Sequence, residues 1–292
     1  MQLPEAVAAN RLWYHTLELA PDVVTPGWFD LRPIVERMPW PDVAGRRCLD
    51  VGTYDGFLAF ELERRGAAEV VATDIAGEEE WDWYPELRDA GPPALAELMG
   101  PEKGRGFRVA AEALGSAVER VELSVYDLDP DRVGRFDVVV CGSLLLHLRD
   151  PLRALEAIRT VCRGHFLSAE EINLPLSLLH PRRPLAALRP HELQWSVPNV
   201  AGHRDMLVAA GFEVERTGGP YAIPTYIVMC ESGGNYHALN ASSGAGGAYQ
   251  ILPSTWRAYG GQGAPQDAPK EEQDRIAAEI WRDSGPSAWA CA

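Results

Sequence analysis

The chain is organised around Cys48-Leu49-Asp50-Val51-Gly52-Thr53-Tyr54-Asp55-Gly56-Phe57, where a short apolar run enters a glycine turn and then a helix. Gly52 and Gly56 have no Cβ, so the turn can adopt unusual dihedral angles and let a ligand approach main-chain N–H groups. The stretch therefore predicts a buried strand, a ligand-binding turn and a helix in succession, the order typical of nucleotide-binding α/β proteins.

The residues that follow complete a βαβ unit. The helical pattern ends at Gly66, and residues 69–75 predict a second strand, with Asp74 placed 24 positions after Asp50. An acidic residue near this offset commonly binds ribose hydroxyls. The turn has the pattern Gly-x-x-x-Gly, whereas a dinucleotide site has Gly-x-Gly-x-x-Gly. The turn also contains Asp55, and a carboxylate repels a phosphate group. A nucleoside without phosphates is expected, and NAD or FAD is the weaker alternative.

At these residues the chain resembles class I S-adenosylmethionine-dependent methyltransferases, whose motif I turn, Asp-x-Gly-x-x-x-Gly, cradles the amino-acid part of the cofactor. The resemblance implies an α/β fold with a Rossmann-like, doubly wound sheet and S-adenosyl-L-methionine as cofactor. It implies that Asp74 binds the ribose and that Asp127, ending a strand predicted over 121–128, accepts a hydrogen bond from the adenine amine. The predicted cofactor-binding residues are Asp50, Gly52, Thr53, Gly56, Asp74, Asp127 and Gly142.

Further segments predict the remainder of this sheet. Residues 136–142 are almost wholly apolar, as in a central parallel strand that is buried on both faces. Asp150 followed by Pro151 is a helix start signal, and apolar residues keep helical spacing from there to Gly164. Residues 165–172 predict a fifth strand and residues 212–216 a sixth.

Aromatic residues and one histidine stand where an acceptor is expected. Trp81 follows the strand of Asp74, at the sheet edge where open α/β folds bind ligands; its alternative role is packing on that edge. His147 is a candidate general base or substrate contact, and alternatively a packed turn residue, because many methyl transfers need only proximity. Trp195 lies in a proline-rich crossover, residues 175–198, a kind of insertion that often selects the substrate.

Two other stretches narrow the resemblance. Thr25-Pro26-Gly27-Trp28-Phe29 and Leu146-His147-Leu148-Arg149-Asp150-Pro151 look like the methyltransferase group related to the tRNA wobble-uridine carboxymethyltransferase, over residues 10–220. The net charge of −15, with no cluster of Lys and Arg, disfavours nucleic acid and anionic membranes as partners. A small-molecule acceptor is therefore expected instead of tRNA.

From about Tyr221 the composition changes, as Gly, Ser and Ala become frequent. Glu231 stands beside a glycine-rich stretch and is followed by Gln250, Thr255 and Trp256. Such side chains suit a groove that holds a sugar chain while an acid protonates the glycosidic oxygen. The alternatives for single residues are a solvated Glu231 and a Trp256 that belongs to the core.

The combination resembles the resuscitation-promoting-factor or transglycosylase-like domain of actinobacteria, a small, mainly α, lysozyme-type fold. The resemblance implies that Glu231 is the catalytic acid and that Cys230 pairs with Cys291. It also implies that the glycan groove, which would hold peptidoglycan, is lined by Gln250, Thr255 and Trp256. No second carboxylate is evident, which favours a lytic or single-acid mechanism.

The predicted organisation is an N-terminal cap (1–45), a methyltransferase domain (46–220) and a transglycosylase-like domain (222–292). The leading hypothesis is methyl transfer to an unidentified small molecule by a chain that also carries a peptidoglycan-cleaving domain. The alternatives are a cell-wall glycan hydrolase or lytic transglycosylase acting through Glu231, and a non-catalytic binding protein. No metal site is predicted. Residues 1–19 lack the pattern of a signal peptide or membrane span, so the cytoplasm is the default compartment, in conflict with a disulfide-bonded tail.

Overall fold

The computed structural model describes residues 2–36, 38–91, 103–189, 194–215, 223 and 225–291. The predicted boundary between the methyltransferase and transglycosylase-like domains, residues 220–222, lies outside the described part of the chain. Among the described helices, none combines the length and the apolar character that crossing a bilayer requires.

The N-terminal residues form a small cap. Trp13 is 1% exposed, and its indole Nε1 donates a hydrogen bond to the carbonyl of Val7 at 3.0 Å, which ties the first helix to the loop that follows. The two cap strands pair antiparallel. The cap elements are α1 (Leu3–Ala9), β1 (Glu18–Ala20), β2 (Val23–Val24) and α2 (Arg32–Val35).

Five parallel strands form the central sheet. They are β3 (Arg47–Val51), β4 (Glu69–Asp74), β5 (Glu119–Glu122), β6 (Phe136–Gly142) and β7 (Cys162–Ala169). Their spatial order is β5-β4-β3-β6-β7, so the chain starts in the middle, builds one half and then crosses to the other. The switch point lies between β3 and β6, and in such sheets ligands bind outside the carboxyl ends of the strands at that point.

Helices cover both faces of this sheet. Because side chains alternate along a strand, Cys48 faces a core shared with the cap, while Leu49 faces a second core on the opposite side. The doubly wound, Rossmann-like fold predicted for this domain is therefore confirmed. Its remaining elements are α3 (Phe57–Arg64), α4 (Pro85–Ala90), α5 (Arg105–Leu114), α6 (Pro130–Val133), α7 (Pro151–Val161), α8 (Leu174–Leu179), the antiparallel hairpin β8 (Ala186–Arg189) and β9 (Gln194–Pro198), and α9 (Val200–Ala209).

Two predicted strands differ from the structure. The strand predicted over 121–128 ends at Glu122, because the Ser124 side chain accepts a hydrogen bond from the Tyr126 amide and starts a 3-10 helix over Val125–Asp127. The sixth strand predicted over 212–216 is absent from its described part, residues 212–215. There the Phe212 ring packs on Phe166 at 4.9 Å, so this segment contributes to the core without pairing in the sheet.

The C-terminal residues form a separate small core. Trp256, Ile276 and Ile280 belong to it, and buried Gln273 links its loops by donating from Nε2 to the carbonyl of Ala268 at 2.9 Å. This mainly helical unit agrees with the predicted lysozyme-type class. Its helices are α10 (Thr225–Ser232), α11 (Pro253–Ala258) and α12 (Lys270–Ser284).

Candidate functional sites

The glycine turn between β3 and α3 lies at the switch point of the sheet. Gly52 and Gly56 have φ angles of +75° and +95°, in the left-handed region that favours glycine. An added Cβ on Gly52 would lie 2.9 Å from the Leu144 side chain, and one on Gly56 would lie 2.8 Å from Phe107. Both positions therefore require glycine for their backbone conformation and for close packing around the turn.

Two buried side-chain oxygens at this turn, one from a carboxylate and one from a hydroxyl group, make no hydrogen bond of ordinary geometry with the described residues, although the two groups are close enough for the hydroxyl to stabilise the carboxylate. They are Oδ2 of Asp50, at the end of β3, and Oγ1 of Thr53, and the two residues are 1% and 2% exposed. Burial raises the pKa of Asp50 to about 6. Buried polar atoms are normally paired, so these two indicate a ligand that supplies a donor or a positive charge.

Asp74 ends β4 beside the turn. Its Oδ2 accepts the Tyr54 amide at 2.9 Å and its Oδ1 accepts the Ile75 amide at 2.8 Å. The ammonium group of Lys103 lies 3.5 Å from Oδ1 and also stands over the Tyr54 ring and over the Trp81 ring, at 4.3 and 5.2 Å from their centroids. The carboxylate is thus held in place, with one oxygen facing a buried cation.

Asp55 has a different role from the one expected of an acid in the turn. Its Oδ2 accepts the backbone amides of Tyr14 and His15, both at 2.8 Å, and its Oδ1 lies 2.6 Å from Nδ1 of His15. These contacts join the cap to the glycine turn over about 40 residues of sequence. The sequence pattern offered no signal for this pairing, because the two segments are far apart along the chain.

The other two predicted cofactor residues lie at separate strand ends. Asp127 is exposed in the 3-10 helix after β5, and its carboxylate makes no hydrogen bond with the described residues. Gly142 ends β6, where an added Cβ would lie 2.8 Å from the Leu58 side chain. The structure thus gives Gly142 a packing requirement and leaves Asp127 accessible to a ligand.

Trp81, His147 and Trp195 are brought to the carboxyl edge of the sheet. The Trp81 ring packs edge-on against His147 at 5.3 Å. Trp195, on β9, donates its indole Nε1 to the carbonyl of Asp82 at 2.8 Å and stacks on Tyr84 at 4.2 Å. The crossover hairpin is therefore fastened to the loop after β4, and together they form an aromatic wall.

Glu170, directly after β7, was not singled out by the sequence. Its carboxylate accepts the backbone amides of Leu144 and Leu145, at 3.3 and 3.1 Å, and lies 3.5 Å from the thiol of Cys141. Burial raises the pKa of Glu170 to about 8. No local pattern distinguishes such an acid from a solvated one, because the enclosure comes from β6 and the turn after it.

In the C-terminal unit a groove of about 470 Å³ contains Glu231 in its wall. A Glu231 carboxylate oxygen accepts the backbone amide of Cys291 at 3.0 Å, and Cys291 forms a disulfide with Cys230, with a Cα–Cα distance of 6.0 Å. Gln250 and Thr255 also line the groove. The structure brings these three predicted site residues together, and Glu231 is the only acid among the described lining residues.

Trp256 is placed differently from its predicted position in the groove wall. It is fully buried, its indole Nε1 donates to the carbonyl of Gln262 at 3.2 Å, and Gly261 packs directly against the ring. This correction has a physical reason: the small unit needs a large apolar residue at its centre, and the indole fills that space. Of the two roles open for Trp256 in the sequence, the structure shows the core one.

Comparison with known proteins agrees with this architecture. Residues 30–217 match the family model of a methyltransferase domain, well over half of the chain, and residues 225–292 match that of a transglycosylase-like domain. The chain belongs to this methyltransferase family. It also carries a transglycosylase-like domain at its C-terminal end, so the predicted fusion, with S-adenosylmethionine as the cofactor of its class, is confirmed.

Relatives of the two parts are of different kinds. A probable transglycosylase SceD of Staphylococcus epidermidis is 45% identical over 71 residues, 23% of this chain and 32% of that protein. Resuscitation-promoting factor RpfE of Mycobacterium tuberculosis is 43% identical over 63 residues, 22% of this chain and 36% of that protein. The chain thus spans about a third of the length of these curated relatives, within its C-terminal domain.

Among solved structures, S-adenosylmethionine-dependent methyltransferases of Mesorhizobium loti and Listeria monocytogenes resemble the front part. They are 16% and 15% identical, with TM-scores of 0.37 and 0.41. The matches cover 61% and 62% of this chain, and 78% and 83% of those chains. Similarities this distant say nothing about activity.

Proposed function

We propose that the front domain binds S-adenosylmethionine at the glycine turn and transfers its methyl group to a small-molecule acceptor. The unpaired, buried Oδ2 of Asp50 and Oγ1 of Thr53 carry this proposal, since the α-ammonium group of the cofactor is a donor and a cation. When bound, the cofactor supplies a sulfonium methyl group that is already activated for transfer. The chain needs only to hold and orient the two reactants.

Individual residues have distinct parts in this proposal. Gly52 and Gly56 let the cofactor approach the turn without a steric clash. Asp74 accepts hydrogen bonds from the ribose hydroxyls, which then compete with Lys103 for the Oδ1 atom of Asp74. Asp127, exposed after β5, accepts from the adenine amine, and Gly142 keeps the end of β6 open.

The acceptor is proposed to be a small molecule held under the cap and the crossover hairpin. Trp81 and Trp195 form its wall, and His147 contacts it or accepts its proton. The net charge of −15 opposes nucleic acid as the acceptor, because a strongly anionic chain repels a polyanion. The cytoplasm stays the predicted compartment of this activity.

Calorimetric titration of the full-length chain with S-adenosylhomocysteine tests the cofactor site. We expect micromolar affinity in the wild type and a loss of about 100-fold in Asp74→Ala, since two hydrogen bonds to a charged group are worth roughly 3 kcal/mol together. Asp205→Ala, which removes a half-buried acid on α9 that is paired with Arg204, is the control and should bind normally. Equal affinity in Asp74→Ala and the control would remove the site assignment.

A second activity is proposed for the C-terminal domain, cleavage of peptidoglycan glycan with Glu231 as the general acid. The groove supports it, because Glu231 stands in its wall beside Gln250 and Thr255. With no second acid among the described lining residues, a single-acid mechanism fits better than a pair of carboxylates. The Cys291 amide fixes the orientation of the carboxylate.

Release of soluble fragments from purified peptidoglycan tests this second activity. Wild-type chain and Glu271→Gln, which changes an exposed acid of α12, should release fragments at similar rates. Glu231→Gln should lower the rate at least about 100-fold, because general acid catalysis typically contributes that much. Undiminished release by Glu231→Gln would exclude Glu231 as the acid. Ligand binding without product in both assays would favour a non-catalytic binding protein.

A further inference from the structure

The topology divides the carboxyl edge of the sheet into two halves. Six of the seven residues proposed to hold the cofactor stand at or after the ends of β3, β4 and β5, and the seventh, Gly142, ends β6. The residues after β6 and β7 form the other half. Glu170 stands directly after β7 in this second half, together with His147, which follows β6 and is proposed to contact the acceptor.

The Glu170 carboxylate has no cation beside it among the described residues. Its partners are two backbone amides and one thiol, those of Leu144, Leu145 and Cys141. Glu171, the next residue, is different, because Arg189 lies 3.0 Å from its Oε1 and Gln194 donates to its Oε2 at 3.3 Å. The chain thus neutralises Glu171 and leaves Glu170 uncompensated.

The other acidic groups near Glu170 favour a cationic ligand. Burial raises the pKa of Tyr14, and the neighbouring carboxylates of Glu170, Asp55 and Glu171 raise it further, so the cap closes over an anionic region.

We propose that Glu170 binds the methyl acceptor and that the acceptor is a primary or secondary amine, methylated on nitrogen. This inference rests on the proposed methyl transfer and names its substrate class. A cationic amine supplies a counter-charge that no described residue provides for Glu170. The bound ammonium group first gives one proton to the Glu170 carboxylate. The neutral nitrogen then attacks the methyl carbon as the carbon–sulfur bond breaks, which leaves a methylated ammonium group, a neutral thioether and a protonated Glu170.

The proton step agrees with the surroundings of Glu170. In the ligand-free protein the pKa of about 8 keeps the Glu170 carboxyl group mostly protonated near neutral pH, and a bound ammonium group, as a neighbouring cation, lowers that pKa so that the carboxylate forms beside the amine. Two backbone amides keep it oriented toward the end of β6. Glu170 is therefore assigned both positioning of the amine and removal of its proton.

Three matched probes test the inference on full-length chain saturated with S-adenosylhomocysteine: 2-phenylethylamine, 2-phenylethanol and 3-phenylpropionate. Calorimetry should show the amine binding at least about 10-fold more tightly than the alcohol, and the carboxylate most weakly. Glu170→Gln should lower amine affinity about 10-fold or more and leave alcohol affinity unchanged. Glu171→Gln, the matched control, should change amine affinity less than about threefold, since Arg189 already neutralises that carboxylate.

The outcomes separate this inference from the proposed function. If S-adenosylhomocysteine fails to bind the wild type, both are overturned. If it binds and the amine shows no preference over the alcohol, or the preference persists in Glu170→Gln, the inference alone is overturned. Should Glu170→Gln lose S-adenosylhomocysteine binding through misfolding, the ranking of the three probes on the wild type and on Glu170→Asp decides the question.

Discussion

Removing the Cys230–Cys291 disulfide should destabilise the C-terminal domain far more than the rest of the chain. The two cysteines are 61 residues apart, so the bridge closes nearly the whole domain into one loop. In the chain-entropy model a loop of this length lowers the entropy of the unfolded state by about 14 cal/mol/K, or about 4 kcal/mol at 25 °C. This is a large fraction of what a core of this size supplies.

Hydrogen exchange of the full-length Cys230→Ser, Cys291→Ser double variant measures this effect by domain. Peptides from α12, whose Ile276 and Ile280 lie in the core, should exchange about 1000-fold faster, because each 1.4 kcal/mol corresponds to a factor of ten. Peptides of β3 and β6 should keep wild-type rates and serve as the internal control. Acceleration of less than tenfold in α12 would refute the entropic account of the bridge.

Three further predictions concern the front domain. Gly56→Ala should cost about 3 kcal/mol, because its φ is +95° and the added Cβ would overlap the Phe60 ring and lie 2.8 Å from Phe107. Gly115→Ala, at φ +62° with nothing within 4 Å of the added Cβ, should cost about 1 kcal/mol, and equal shifts in melting temperature for the two variants would contradict this. The pKa of Glu170 is raised to about 8, so its contribution to stability is present at low pH and is lost as the pH rises through 8. Between roughly pH 5 and 9 the melting temperature of Glu170→Gln should therefore fall less than that of the wild type. Parallel curves of melting temperature against pH would refute this prediction. Asp55→Ala should release the cap and speed hydrogen exchange of residues 13–29 at least about tenfold; unchanged exchange would show that other contacts hold the cap.

The sequence predicted the elements whose signals are local. The glycine turn, the strand of residues 136–142 and the Asp150–Pro151 helix start each depend on neighbouring residues, and the structure contains all three. In the structure the Asp150 side chain accepts a hydrogen bond from the Arg153 amide, the interaction that makes aspartate a frequent N-cap residue of helices. Patterns confined to one helical turn or one strand are therefore readable without tertiary information.

Features that depend on distant contacts were not readable. Residues 212–215 alternate polar and apolar side chains like a strand, yet they form none, and Phe212 packs on Phe166 instead. A strand needs a neighbouring strand to pair with, and the pattern of one segment does not show whether such a neighbour is present. Asp55 is bound by the cap about 40 residues away, and Glu170 is enclosed by the turn after β6. The sequence left two positions for Trp256, in the groove wall or in the core, and only the packing of Gly261 against its ring shows that it lies in the core.

The burial of three cysteines bears on how the disulfide forms. Cys48, Cys141 and Cys162 are buried in the front domain, and burial raises the pKa of each thiol, that of Cys48 to about 11. Exchange requires a thiolate, so these three are inert once that domain has folded. The front domain precedes the tail in the chain and emerges first during synthesis. Folding of the front domain therefore shields its three thiols, so Cys230 and Cys291 can form their disulfide without competition from those thiols.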